Sequence, residues 1–137
     1  MNAQVAITRC IGYDPDLVLA KLNLTLDLLG GITKFIKPES RVLVKPNLLM
    51  AKEPEFGIDT HPEMVRAMIK VLKGIGCHIV VGDGPSVWGN QIENVEEVYH
   101  RSGMEKVCFE ERVDLVRFDK KRFRGEFPMT IWLDQCD

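Results

Sequence analysis

Apolar residues along the chain follow two patterns, short continuous runs and longer stretches with helical spacing. The apolar run at residues 5–7 predicts a short strand, and those at residues 42–44 and 79–81 predict buried strands of the kind found in parallel sheets. Residues 16–29 and 62–75 instead carry apolar side chains on one helical face, which predicts amphipathic helices. Strands and helices that alternate along one chain are typical of an α/β fold.

Local signals indicate where these elements begin and end. Gly30-Gly31 predicts the end of the first helix, although its leucines at alternate positions would also suit a strand. Before the second helix, the segment Thr60-His61-Pro62-Glu63 has the form of a capping box, with Thr60 as the N-cap and Pro62 in the first turn. Gly82-Asp83-Gly84-Pro85 is expected to end the next strand abruptly and to leave Asp83 exposed.

The remaining pattern predicts two shorter helices and two further strands. The helices are expected over residues 91–102 and 104–109, and the strands at residues 115–116 and 127–133. No repeat, linker or shift of composition divides the chain, so residues 1–137 are expected to form a single domain. The predicted fold is a three-layer α/β arrangement: a mostly parallel open sheet with helices on both faces, incomplete at the C-terminus.

Composition narrows the class of protein. Hydrophobic residues make up 45% of the chain and charged residues 28%, as in an ordinary globular protein. No apolar run approaches the roughly 20 residues that cross a bilayer, and no signal sequence opens the chain, so we expect a cytoplasmic protein with no membrane partner. The net charge of −2 argues against nucleic acid as a partner, and the basic cluster Lys120, Lys121, Arg122 and Arg124 is expected to be a solvated turn.

The four cysteines give no sign of a metal site. Cys10, Cys77, Cys108 and Cys136 lie far apart and never form the CxxC spacing that brings thiolates together on zinc or iron–sulfur clusters. Neither a metal nor another cofactor is therefore expected in this chain. Cys77, beside an apolar strand, is expected to be a small buried hydrophobic residue.

Polar residues gather where the two central strands end. Lys45 and Asn47 follow the first strand, Asp83 follows the second, and His61 opens the helix between them. Because a strand, helix, strand crossover is right-handed and its strands are parallel, the two strand ends share one edge of the sheet, where α/β proteins bind ligands. Lysine can bind an anion or act as a base or nucleophile, and a carboxylate can meet a metal, a ribose hydroxyl or the lysine itself.

These residues form the candidate site. The candidate catalytic residues are Lys45 and Asp83, and the candidate ligand-binding residues are Asn47, Thr60, His61, Gly82 and Gly84; no residue is predicted as a metal ligand. Structural explanations stay open for each, including a strand-end ion pair, a turn and a helix cap. His78 and His100 are assigned to structure.

Three segments of the chain resemble one known family. Residues 42–48 (VLVKPNL), 60–67 (THPEMVRA) and 80–85 (VVGDGP) match in order and spacing the N-terminal part of an uncharacterised prokaryotic family, domain of unknown function family 362. Many members of that family are longer and carry cysteine-ligated iron–sulfur clusters after the shared domain. The resemblance implies that this chain is the N-terminal portion of a longer family domain, with any iron–sulfur cluster in further C-terminal sequence. It implies no catalytic residues.

The candidate residues and the resemblance together leave three functions open, and whether the domain is an enzyme stays open with them. The first is a small-molecule site within an iron–sulfur-associated redox protein. The second is a non-catalytic module that binds an anionic metabolite through Lys45 and the helix start at Thr60. The third is a protein-interaction domain whose open sheet edge docks a partner, and the same edge predicts homo-oligomers.

Overall fold

A computed structural model describes residues 4–84, 87–88, 91–92 and 94–118. The elements in chain order are α1 (Pro15–Leu28), β1 (Arg41–Val44), α2 (Pro62–Gly74), β2 (His78–Asp83), β3 (Val87–Trp88), β4 (Gln91–Ile92), α3 (Val95–Arg101), α4 (Met104–Glu110) and β5 (Asp114–Arg117), with short 3-10 turns at Ile32–Lys34 and Pro54–Phe56. The basic cluster near Lys120, the strand predicted at residues 127–133 and Cys136 lie outside the described residues. None of the described helices is long and apolar enough to cross a membrane.

Three parallel strands in the order β1-β2-β5 form the main sheet. Val44 pairs with Val81, which in turn pairs with Leu115, so the carboxyl ends of all three strands lie at one edge. The short strands β3 and β4 form a separate antiparallel pair. The α/β class and the parallel open sheet are therefore confirmed.

The hydrophobic core lies between one face of this sheet and the helices α2, α3 and α4. Ile79 and Val81 of β2 belong to the same buried cluster as Ile69 of α2 and Val107 of α4. Both helices contact the strands and each other, while α1 packs against α2. The helices thus supply one of the two helical layers of the predicted arrangement. The other face of the sheet carries half-buried residues such as Val80.

The leucine-rich segment is a helix, as its length and its glycine stop predict. The Asp14 carboxylate caps α1 by accepting from the backbone N–H groups of Asp16 and Leu17 at 3.1 and 3.0 Å. At the other end Gly30 and Gly31 adopt φ values of 98° and 86°, and the N–H of Gly31 donates to a carbonyl of the last turn at 2.8 Å. Glycine is favoured at such left-handed positions because it has no Cβ.

Two predicted elements are wrong in whole or in part. Residues 5–7 form no strand; Val5 and Ile7 are 81% and 86% exposed, and the Thr8 hydroxyl instead contacts that of Thr25 on α1 at 2.5 Å. An apolar run becomes a strand only beside a partner strand, and no described strand pairs with this one. The helix predicted over residues 91–102 begins only at Val95, because the Asn94 side chain caps it.

Candidate functional site

Lys45 and Asp83 meet at the carboxyl edge of the sheet. The Lys45 ammonium lies 2.5 Å from Oδ1 of Asp83. The lysine side chain is 57% exposed, whereas the aspartate side chain is only 7% exposed. The structure thus brings these two candidate residues together in the way that a right-handed crossover requires. The pair joins a buried anion to an exposed cation.

Asp83 is buried, which corrects the expectation of an exposed carboxylate. Its Oδ2 accepts from the backbone N–H of Leu48 at 3.0 Å, and its Oδ1 accepts from the N–H of Gly84 at 2.8 Å. Strand β2 also continues through Asp83, which pairs with Arg117 of β5, instead of ending at Gly82. Because the loop after β1 folds back and donates to it, the carboxylate is surrounded by protein donors.

Tyr99 of α3 holds the backbone at the same point. Its hydroxyl lies 2.8 Å from the backbone nitrogen of Asp83 and accepts from it. The hydroxyl proton has two carbonyl acceptors within reach, those of Asp83 at 2.9 Å and Val116 at 2.8 Å. A phenol that bridges β2 and β5 fixes where Asp83 leaves the sheet. No spacing rule in the sequence identifies this residue, since α3 lies outside the crossover.

Thr60 binds Asn47 rather than capping α2. Its hydroxyl accepts from the backbone N–H of Asn47 at 2.9 Å and donates to the Asn47 carbonyl at 3.2 Å. The N-cap is instead His61, whose Nδ1 accepts from the N–H of Glu63 at 3.2 Å. The predicted capping box is therefore wrong, because the threonine hydroxyl is already used. Thr60 joins the start of α2 to the end of β1.

Replacing Thr60 with valine is expected to lower the free energy of unfolding by about 1–2 kcal/mol, because two hydrogen bonds to Asn47 are lost without a change of shape. Urea denaturation measures this loss. Thr33→Val is the matched control, since the exposed Thr33 hydroxyl makes no hydrogen bond to the described residues. Equal effects of the two substitutions would contradict the role given to Thr60.

His61 also contacts the N-terminal segment. The ring of Tyr13 stacks on the imidazole with centroids 3.5 Å apart and an interplanar angle of 5°. Burial lowers the pKa of His61 below its ordinary value of 6.5, while Glu63 and Glu55 act in the opposite direction. The imidazole is thus held between a helix start and an aromatic ring. Tyr13 was not among the predicted site residues, because no motif links it to His61, which lies in a different part of the chain.

The long connection between β1 and α2 is fastened to the rest of the protein. Oδ1 of Asp59 accepts from the backbone N–H groups of Leu49 and Met50 at 2.6 and 3.3 Å. Glu53 accepts from the Arg101 guanidinium of α3 at 2.7 Å, and this hydrogen bond lowers the pKa of Glu53. Sequence reasoning missed these residues because no motif marks them.

The two candidate glycines differ in their surroundings. Gly82 is buried, and a Cβ added to it would lie 2.6 Å from both the side chain and the carbonyl oxygen of Val116. Gly84 has open space around the same position, but its N–H donates to Asp83. Packing against β5 therefore explains why a glycine occupies position 82. The backbone N–H of Gly84 helps to hold the Asp83 carboxylate.

Two cavities lie away from this edge. One of about 340 Å³ is lined by Arg41, His78 and Asp114 at the opposite ends of the strands. Another of about 310 Å³ lies between the N-terminal segment and α1. His100 is exposed and lies 2.9 Å from Glu105. Neither of these cavities is lined by Lys45 or Asp83, and the Lys45 side chain is exposed above the buried Asp83 carboxylate.

No cluster of three His, Cys, Asp or Glu side chains suited to a metal ion occurs among the described residues. Cys10 is exposed, Cys77 is half-buried and packs against the core, and Cys108 is buried. Burial raises the pKa of the Cys108 thiol to about 11. Cys77 is therefore less buried than the sequence analysis expects, because it lies in the turn between α2 and β2.

Comparisons with known proteins give one family and one relative. The family described as domain of unknown function, DUF362, matches residues 42–136. A thylakoid-associated protein of Synechocystis sp. is 37% identical over 86 residues, which are 63% of this chain and 27% of that protein. No solved structure matches the chain. The chain therefore matches about a quarter of the length of that relative, and the family match includes Lys45 and Asp83.

Proposed function

The chain belongs to the DUF362 family of domains of unknown function, and we propose that it binds an anionic small molecule through Lys45. One observation carries the proposal: the ammonium group of a lysine side chain that is 57% exposed is anchored on a buried carboxylate. Because the Lys45 side chain is already held in one position, ligand binding costs less conformational entropy. The site would serve a longer protein, as the short match to the relative suggests.

The distribution of donors supports an anion rather than a cation as ligand. A lysine ammonium has three N–H donors, and Asp83 accepts from one of them, so two remain for a ligand. Both oxygens of Asp83 already accept from protein N–H groups, so the carboxylate positions Lys45 instead of binding a ligand itself. The exposed Asn47 side chain lies two residues farther along and offers amide donors. A carboxylate or phosphate group suits this surface best.

The redox function is compatible with such a site, but the ligands of an iron–sulfur cluster would have to come from other sequence. An iron–sulfur cluster requires four ligands, usually cysteine thiolates, and the three described cysteines are not gathered at the candidate site. The redox role therefore stays a prediction for longer family members, as does the cytoplasmic location. In such a redox protein, this domain would supply the anion site.

A second function is supported by the N-terminal segment. Val5, Ile7 and Ile11 are 81%, 86% and 74% exposed, and clustered exposed apolar side chains often mark interfaces with other proteins. Docking of a protein partner on this segment is independent of Lys45. Light scattering of variants with these residues changed to serine tests self-association, which should decrease if the segment is an interface.

Changing Lys45 to glutamine is expected to weaken binding of sulfate at least tenfold, because a charge-assisted contact worth more than about 1.4 kcal/mol is lost. Stability should change by about 1 kcal/mol or less, since the lysine is mostly exposed. NMR titration with sulfate measures the affinity, and urea denaturation measures the stability.

Lys106→Gln is the matched control, because that lysine is 76% exposed on α4 and carries the same charge. Sulfate affinity should be unchanged in this variant. Equal weakening in both variants would mean that net charge, rather than a site at Lys45, attracts the anion. Unchanged affinity in Lys45→Gln would contradict the proposed function directly.

A further inference from the structure

His61 is a further polar side chain at this edge, and its contacts determine its tautomer and its charge. Its Nδ1 accepts from the N–H of Glu63 at 3.2 Å, and the Tyr13 ring lies parallel to it at 3.5 Å. We propose that His61 is a neutral hydrogen-bond donor in the anion site, with its proton on Nε2 and its ring held in place by Tyr13. This inference rests on the proposed anion binding by Lys45.

The helix cap determines the tautomer of His61. A ring nitrogen that accepts a hydrogen bond carries no proton, so the single proton of a neutral imidazole must be on the other nitrogen. Nδ1 is the acceptor here; Nε2 therefore carries the proton. No described residue accepts from Nε2. This N–H is consequently available to a ligand.

The surroundings of the ring also keep it uncharged. A proton on Nδ1 would point at the N–H of Glu63 and would put a positive charge at the start of α2, where the helix dipole opposes it. Burial acts in the same direction and lowers the pKa of His61, more strongly than the nearby carboxylates of Glu63 and Glu55 raise it.

Tyr13 is well placed to fix the direction of the Nε2–H bond. It directly precedes Asp14, the N-cap of α1, and α1 packs against α2. The two rings therefore belong to neighbouring helix starts whose separation is set by helix packing. An interplanar angle of 5° means that the phenol covers one whole face of the imidazole. Tyr13 is a positioning residue, since it acts on the ligand only through His61.

A short piece of backbone connects His61 with Lys45. Thr60, the residue before His61, binds the backbone of Asn47 through its hydroxyl and its N–H. The next residue, Leu48, donates to the carboxylate that holds Lys45. The cation and the neutral donor are therefore presented by one hydrogen-bonded unit. A neutral donor needs no proton from solvent, so anion binding should not depend on pH around neutrality.

NMR of the full chain with ¹⁵N-labelled histidine and lysine tests the proposal, with sulfate as the probe because its charge is constant near neutral pH. At pH 7.5 the His61 signals should show a proton on Nε2 and none on Nδ1. Sulfate should shift the Nε2–H resonance together with the Lys45 side chain. Between about pH 7 and pH 8.5 its dissociation constant should change less than twofold, because the titration of His61 lies below about 6.5.

Tyr13→Leu and Tyr13→Phe separate positioning from simple burial of the ring. Loss of the stacked ring in Tyr13→Leu should raise the titration midpoint of His61 toward 6.5 and weaken sulfate binding severalfold. Tyr13→Phe keeps a ring of the same shape and should behave as the unmodified protein. Equal sulfate affinity in all three proteins would overturn the role of Tyr13.

The remaining outcomes distinguish this inference from the proposed function. A charged His61 at pH 7.5, or a proton on Nδ1, would overturn the inference in the unmodified protein, whether or not any variant folds. Sulfate that shifts Lys45 but not His61 would leave the anion site intact and show that His61 only caps α2. Sulfate that shifts neither residue would overturn the proposed function and this extension of it together.

Discussion

Replacing Asp83 with asparagine should lower the free energy of unfolding by about 3 kcal/mol, because a buried charged acceptor and at least one backbone hydrogen bond are lost together. The carboxylate accepts from Leu48 on one oxygen and from Gly84 and Lys45 on the other. An amide of the same shape must turn its NH₂ group toward one of these donors, which leaves a buried N–H without an acceptor. Urea denaturation of the full chain measures the change.

Asp114→Asn is the control, since Asp114 is an exposed residue of β5 in the same sheet. Its substitution should change stability by less than about 0.5 kcal/mol. A comparison of Asp83→Asn with Lys45→Gln also tests which member of the ion pair contributes more to stability. If Asp83→Asn were as mild as Lys45→Gln, the pair would be an ordinary surface contact and the buried hydrogen bonds would contribute little.

The pattern of apolar residues was sufficient to predict the central elements of the fold. Helix α2 buries one side against the core, so its apolar positions repeat with the helical period, whereas β1 and β2 stand out in the sequence as continuous apolar runs. The run at residues 5–7 looks the same in sequence but is exposed. Its failure has a physical cause: a strand needs a partner, and local sequence does not encode whether one is available.

The site was predictable as far as topology determines it. The parallel pairing of β1 with β2 is enough to bring Lys45 near Asp83, and in the structure the two side chains form an ion pair at 2.5 Å. The burial of Asp83 was not predictable, because it depends on how the loop returns to donate from Leu48. The stacking of Tyr13 on His61 likewise depends on the packing of α1 against α2.

Replacing Gly82 with alanine should be as disruptive as any substitution at the site, with a loss of about 3 kcal/mol in the free energy of unfolding and a fall of roughly 10 °C in the melting temperature. The added Cβ would lie 2.6 Å from Cγ2 and from the carbonyl oxygen of Val116. The side chain can rotate away, but the carbonyl belongs to β5, which pairs with β2 along this stretch. The two strands must separate, and the core beneath them is disturbed as a result.

Gly84→Ala gives the matched comparison two residues away. A Cβ at Gly84 meets nothing within 4 Å, so this substitution should leave stability within about 0.5 kcal/mol or raise it slightly by restricting the unfolded chain. Thermal unfolding of the two variants separates the explanations for the glycine at position 82. If Gly82→Ala kept full stability but lost sulfate binding, Gly82 would be a ligand contact. A loss of stability with sulfate affinity retained in the folded fraction assigns it to packing between β2 and β5.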